Sequence, residues 1–164
     1  MPTRLHVLIP IGIAAVIVGI AGLESMPSEI SLDQVDFAVG TIKLDEKFVE
    51  VQIADTDEEQ RTGLMFQDIL PYDQGMLFVY DETGFKTMWM MNMQFHLDMI
   101  WFDENGNVIQ ITKNVPPCKT PLEVMACDTE RISADNVKYI LEVTSGFVEK
   151  FSIDNESKLY IDLG

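Results

Sequence analysis

The chain is poor in the residues that most enzymes and metal centres are built from. Its 164 residues include two histidines, two cysteines and eleven basic side chains against 27 acidic ones. His6 falls in an apolar N-terminal run, which leaves His96 as the single imidazole of the remaining sequence. A His-based hydrolytic triad would have to use it, and a blue-copper centre, which needs two histidines and a cysteine, is disfavoured. No G-x-S-x-G, Walker, G-x-G-x-x-G or H-E-x-x-H pattern occurs. These absences favour a binding or accessory module over an enzyme. The shortage of Lys and Arg leaves a formal charge of −16, which repels phosphate backbones and argues against nucleic acid while leaving cations and cationic proteins as partners.

The acidity is unevenly placed. All 27 acidic residues lie at or after Glu24, and Arg4 is the only basic side chain before it. Residues 5–23 carry no formal charge at neutral pH, close to the roughly 20 positions a helix needs to cross a bilayer. With Arg4 ahead and Glu24, Glu29, Asp33 and Asp36 behind, the positive-inside tendency puts the N-terminus in the cytoplasm and the rest outside. Residues 1–23 are therefore expected to be a membrane anchor or a signal peptide. The uncleaved anchor is favoured, because no A-x-A-like site precedes Glu24 to Ser28; cleavage would give a secreted protein. Residues 24–34, polar and containing Pro27, read as a linker, and 35–164 as one extracytoplasmic domain.

Within that domain the pattern is mostly β. Val35 to Leu44 and Phe48 to Ala54 read as strands, the second alternating Val49, Val51 and Ile53 against Glu50 and Gln52. Thr56 and Glu59 form a capping box that should start a helix of two to three turns ending near Met65. Gly75 to Asp103 is the apolar centre of the domain, read as three strands joined at Asp81–Gly84 and Asn92–His96. Asn105-Gly106 signals a hairpin into Val108 to Val115. Tyr139 to Thr144 and Lys158 to Leu163 read as late strands, with a short helix over Gly146 to Phe151. The expected architecture is an antiparallel β-sandwich or jelly-roll-like barrel with one or two short helices, behind an N-terminal transmembrane helix. Leu64, Met76, Phe78, Trp89, Leu97, Ile100, Val108 and Leu141 are the expected core.

Arg61 to Phe66 (RTGLMF), Gly75 to Val79 (GMLFV), Trp89-Met90, Asn92, Leu97-Asp98, Asn105 to Val108, Pro116-Pro117-Cys118 and Leu141-Glu142-Val143 resemble, in order, the domain of unknown function 192 family. The resemblance implies a small, mostly β domain behind a signal peptide or anchor, and implies no activity. This chain departs from that pattern at Gln67, where the pattern has Arg, and at Met91 and Met93, where it has Lys and Thr.

The candidate ligand-binding residues are Arg61, Trp89, Asn92, Asp98 and Glu142. Asp98 and Glu142 are acids within apolar strand runs, and a buried carboxylate must be paired or hydrogen-bonded. Either is a structural pin held by Arg61 or by backbone amides, or a ligand-binding or general-base group; a hydrolase using both would require their strands to be neighbours. Trp89 or Tyr80 could form a stacking wall. Met88, Met90, Met91 and Met93, with His96 nearby, raise a second reading as soft ligands for copper(I); the alternative is that methionine fills core gaps. No other cofactor is expected, and the partner is an unidentified small ligand or envelope component. Cys118 and Cys127, nine positions apart in a Pro-rich loop, are the natural disulfide of an oxidising compartment, stabilising by roughly 2 to 3 kcal/mol.

Overall fold

The computed structural model describes residues 35–120, 122–123 and 132–161. The N-terminal anchor or signal peptide, the linker over 24–34 and Cys127 lie outside these residues. Among the described residues no helix is long and apolar enough to cross a membrane.

In chain order the elements are β1 (Ala38–Leu44), β2 (Lys47–Ala54), α1 (Asp57–Thr62), β3 (Gln74–Met88), β4 (Leu97–Phe102), β5 (Val108–Val115), β6 (Ile132–Thr144), α2 (Phe147–Lys150) and β7 (Leu159–Ile161). The strands form one seven-stranded sheet in the order β5-β4-β6-β3-β2-β1-β7. A mostly β fold with short helices is thus present, but among the described residues the two facing sheets of a sandwich or jelly roll are not. The architecture is a single curled sheet, a half-barrel. Nor is it wholly antiparallel: β2 and β3 run parallel, with Val51 beside Gly75 and Ile53 beside Leu77. Parallel neighbours need a long crossover, supplied here by α1 and the chain that follows it.

Curling brings the far ends of the sheet together. The Leu159 amide of β7 donates to the Gly106 carbonyl in the β4–β5 turn at 2.8 Å, and Asn107 pairs with Lys158. Gly106 has φ +77, and any Cβ there would strike the Leu159 carbonyl, so a glycine is required where the two edges meet. Asp103 holds the turn by accepting from the amides of Asn105 and Asn107, each at 2.9 Å.

Alternation across β3, β6 and β4 sends side chains to two different cores. Leu77, Leu141 and Ile100 form one row across the three strands, on the concave face with Val49, Val51, Phe102, Phe147 and Leu159. Phe78, Ile140 and Trp101 form the adjacent row on the convex face, under Leu64, Met90, Met93 and Phe95. Covered on both sides, all six residues of β4 are buried, which explains a continuous apolar run where a half-exposed strand would alternate.

Local departures from the sequence reading have local causes. Asp81–Gly84 does not end a strand. β3 runs on through it with irregularities between Val79 and Lys86 while pairing with β6, so the extra residues are absorbed as bulges. β6 begins at Ile132 rather than Tyr139, and Asn136 with φ 62 interrupts the alternation that would have announced it. α1 starts with the expected Thr56–Glu59 capping box but ends at Thr62, because Gly63 turns the chain away at φ 48. The expected core is buried except Trp89, which is half-buried; Trp101 is the fully enclosed tryptophan, with its Nε1 lacking a partner among the described residues.

Gly75 sits between β2 and β6, where an added Cβ would lie 2.7 Å from the Glu142 carbonyl and 2.9 Å from Val143 Cγ1. Gly84 has nothing within 4 Å of that position. Gly75→Ala should therefore cost roughly 1–3 kcal/mol by overpacking, and Gly84→Ala should change stability by less than about 0.5 kcal/mol. Urea denaturation of the two variants measures the contrast.

Candidate functional site

Asp98 and Glu142 lie on neighbouring strands yet point to opposite faces. Asp98 is registered with Val143, and Glu142 with Met99. Cross-strand partners share a face and successive residues alternate, so Asp98 faces the concave core and Glu142 the convex one. The carboxylate pair that a two-acid hydrolase would use is not formed.

Asp98 is occupied with backbone. Its Oδ1 accepts from the Asn114 amide at 2.9 Å, and its Oδ2 from the amides of Gly146 and Val148 at 3.0 and 3.1 Å. Three amides around one buried carboxylate, two of them at the start of α2, make it a pin that ties β5 and α2 to β4. The arginine pairing expected for it does not occur. The Arg61 guanidinium is exposed and its ion pair is with Asp57 at 4.0 Å, one turn earlier on α1, a geometry that contributes little.

Glu142 is different. It is 3% exposed and stands between Met76 on β3 and Met99 on β4. No described residue donates a hydrogen bond to its carboxyl. Burial alone pushes its pKa up to about 8, so at neutral pH it is largely a neutral acid. Burial, with the Glu142 charge second, also raises the Tyr80 hydroxyl, which donates to Met88 Sδ at 3.7 Å.

The Glu142 side chain helps line a pocket. Gln60, Arg61, Thr62, Gly63, Leu64 and Met65 contribute one wall and Met88, Trp89, Met91 and Met93 another, with Phe78 beside the acid. The space is about 240 Å³ including its opening to solvent, with room for about one water molecule. Backbone bonds staple the walls together. The Phe66 amide donates to the Asn92 carbonyl at 3.1 Å, and the amides of Asn92 and Cys118 donate to the carbonyls of Cys118 and Met90. The Gln60 side chain adds to these, its Nε2 donating to the Val79 carbonyl at 2.8 Å. Gln67 and Gln52 exchange reciprocal side-chain hydrogen bonds at 2.9 and 3.0 Å, holding the segment after α1 against β2.

The structure thus brings together Arg61, Trp89, Glu142, Met88, Met91 and Met93, and leaves out four other candidates. Asp98 is on the other face. Asn92, with φ 57, serves the wall through its backbone and through a weak donation to Met65 Sδ at 3.8 Å. Met90 is buried and is not among the lining residues. His96 is exposed and meets Asn114 Oδ1 at 3.1 Å. Met65 is the lining residue most readily missed from sequence, since it follows the end of α1; its place in the RTGLMF motif was the available signal.

Residues 40–161 match the family model described as DUF192, Uncharacterized ACR. A crystal structure of a protein described as a candidate transcription regulator from Sinorhizobium meliloti 1021 superposes with a TM-score of 0.68 at 26% identity, covering 77% of this chain and 96% of that one. A protein of unknown function from Novosphingobium aromaticivorans DSM 12444 superposes with a TM-score of 0.67 at 20% identity, covering 83% of this chain and 100% of that one. No curated protein matches the chain.

Glu142 gives the pocket a measurable signature. Its folded pKa, about 8, lies above the ordinary 4.5, so between these values the native state holds a proton the unfolded state has released. The native advantage is greatest at acid pH and falls as pH rises, by up to about 1.4 kcal/mol per unit, levelling off above the folded pKa. Subtracting the urea-derived stability profile of Glu142→Gln from that of the unaltered protein should reveal this slope, and a flat difference between pH 5 and 8 would refute it.

Proposed function

The chain belongs to the domain of unknown function 192 family, and we propose that this member is a membrane-anchored, extracytoplasmic small-ligand-binding domain whose binding site is the Glu142 pocket. The observation that carries the reading is an acid 3% exposed, without a hydrogen-bond donor among the described residues, at the wall of an open pocket. A carboxyl that opens onto a pocket and takes no hydrogen bond from the described residues is free to take its partner from a ligand. Thioethers and Trp89 offer the apolar, adaptable surface on which such a ligand would lie. A two-acid catalytic reading has less support, since Asp98 is engaged by three amides on the opposite face. The net charge of −16 weighs against nucleic acid. The Cys118–Cys127 disulfide remains part of this proposal, as the covalent tie of the segment that follows β5.

Short-chain alcohols, amides and amines added to protein carrying labelled methionine methyl groups should shift the Met65, Met88, Met91 and Met93 signals. The Glu142→Gln variant should respond to fewer of them, and an absence of response to the whole set would count against an organic ligand.

The anchor is proposed from residues 5–23 and their flanking charges. Protease added to intact cells should degrade the domain, and complete protection would overturn that topology.

A further inference from the structure

Four methionines, Met65, Met88, Met91 and Met93, line the same pocket as Glu142. Two more, Met76 and Met99, are its cross-strand neighbours on either side. Thioether sulfur is a neutral, soft donor that suits copper(I), whereas hard cations such as Mg²⁺ and Ca²⁺ take oxygen. Met65 and Met91 are only partly buried, so gap-filling in a closed core does not account for them. Size discriminates further: the pocket has room for about one water molecule, which suits a single ion better than a bulky organic body.

Charge decides the valence. Arg61 is turned out to Asp57, which leaves Glu142 as the ionisable group facing the pocket among the described residues. One carboxylate with neutral sulfurs balances one positive charge. A divalent ion would leave a net charge buried in a medium that penalises it heavily, and an anion would meet an acid.

Resting on the pocket reading above, we infer that the pocket binds one copper(I) ion, held by thioethers drawn from Met65, Met88, Met91 and Met93 with the Glu142 carboxylate as counter-charge. Glu142 releases its proton to solvent on binding, the metal keeps its oxidation state, and no electron is transferred.

The test is anaerobic titration of the full chain with copper(I) against a chromophoric copper(I) chelator, with metal content measured by mass spectrometry. One equivalent should be retained, the four methionine methyl signals should shift together, and zinc(II) should neither bind comparably nor compete. Met91→Leu combined with Met93→Leu conserves shape, and its thermal unfolding checks the fold. It should weaken retention by roughly 10-fold or more, since even outer partners of a metal ligand act on that scale. Glu142→Gln should weaken it as well.

Retention unchanged in the double variant, or lost only when Cys118 and Cys127 are replaced by Ser, would place copper elsewhere and overturn the assignment. So would comparable affinity for zinc(II). No retention of copper(I) together with a methyl response to the organic set would remove the metal and leave the pocket reading standing; no response to either would remove both.

Discussion

The fold depends on the contact between its two ends. One backbone hydrogen bond, from Leu159 to Gly106 at 2.8 Å, and the adjoining Asn107–Lys158 bridge join the last strand to a turn at the opposite end of a seven-stranded sheet. A flat sheet of this composition would expose one apolar face or the other. Curled, it acquires a concave interior that buries Ile42, Leu44, Val49, Val51, Phe102 and Leu159 together. The convex face of β3, β6 and β4 must then be covered by something other than a second sheet. The segments after α1 and after β3 do this, and the pocket lies where they meet.

That division explains the different fates of two acids in similar sequence surroundings. Asp98 faces the side closed by α2, where three amides are within reach, and it is satisfied. Glu142, one position before Asp98's partner Val143, faces the side covered by methionines, where no described residue donates to it. A single step along a strand separates a structural pin from an acid that opens onto a pocket.

The methionines carry a corresponding lesson. Met91 and Met93 occupy positions where the family resemblance led to an expectation of Lys and Thr, and both line the pocket. At these two positions the pocket of this chain is therefore lined by thioethers. Gln67, the third departure, lies outside the lining and is engaged with Gln52, so it belongs to the support of the wall.

Several features were legible in the sequence because they depend on neighbours along the chain. The Thr56–Glu59 capping box, the Asn105-Gly106 turn and the alternation of Val49, Val51 and Ile53 each act over a few residues, and each is present where expected, although α1 ends at Thr62, short of Met65. The convergence of Arg61, Trp89, Met88, Met91, Met93 and Glu142 was legible only as a set of unusual residues. Their meeting requires β6 to lie between β3 and β4, a choice set by burial on both faces, which local pattern does not encode. The same is true of the parallel β2–β3 pair and of Trp101 in place of Trp89 as the enclosed indole. What the sequence determined by itself was the inventory: mostly β, acidic, methionine-rich, with an acid in each of two apolar strands. Tertiary structure alone decided which acid was satisfied, because the period-two alternation of a strand gives each residue a face but only the packed sheet says what covers it.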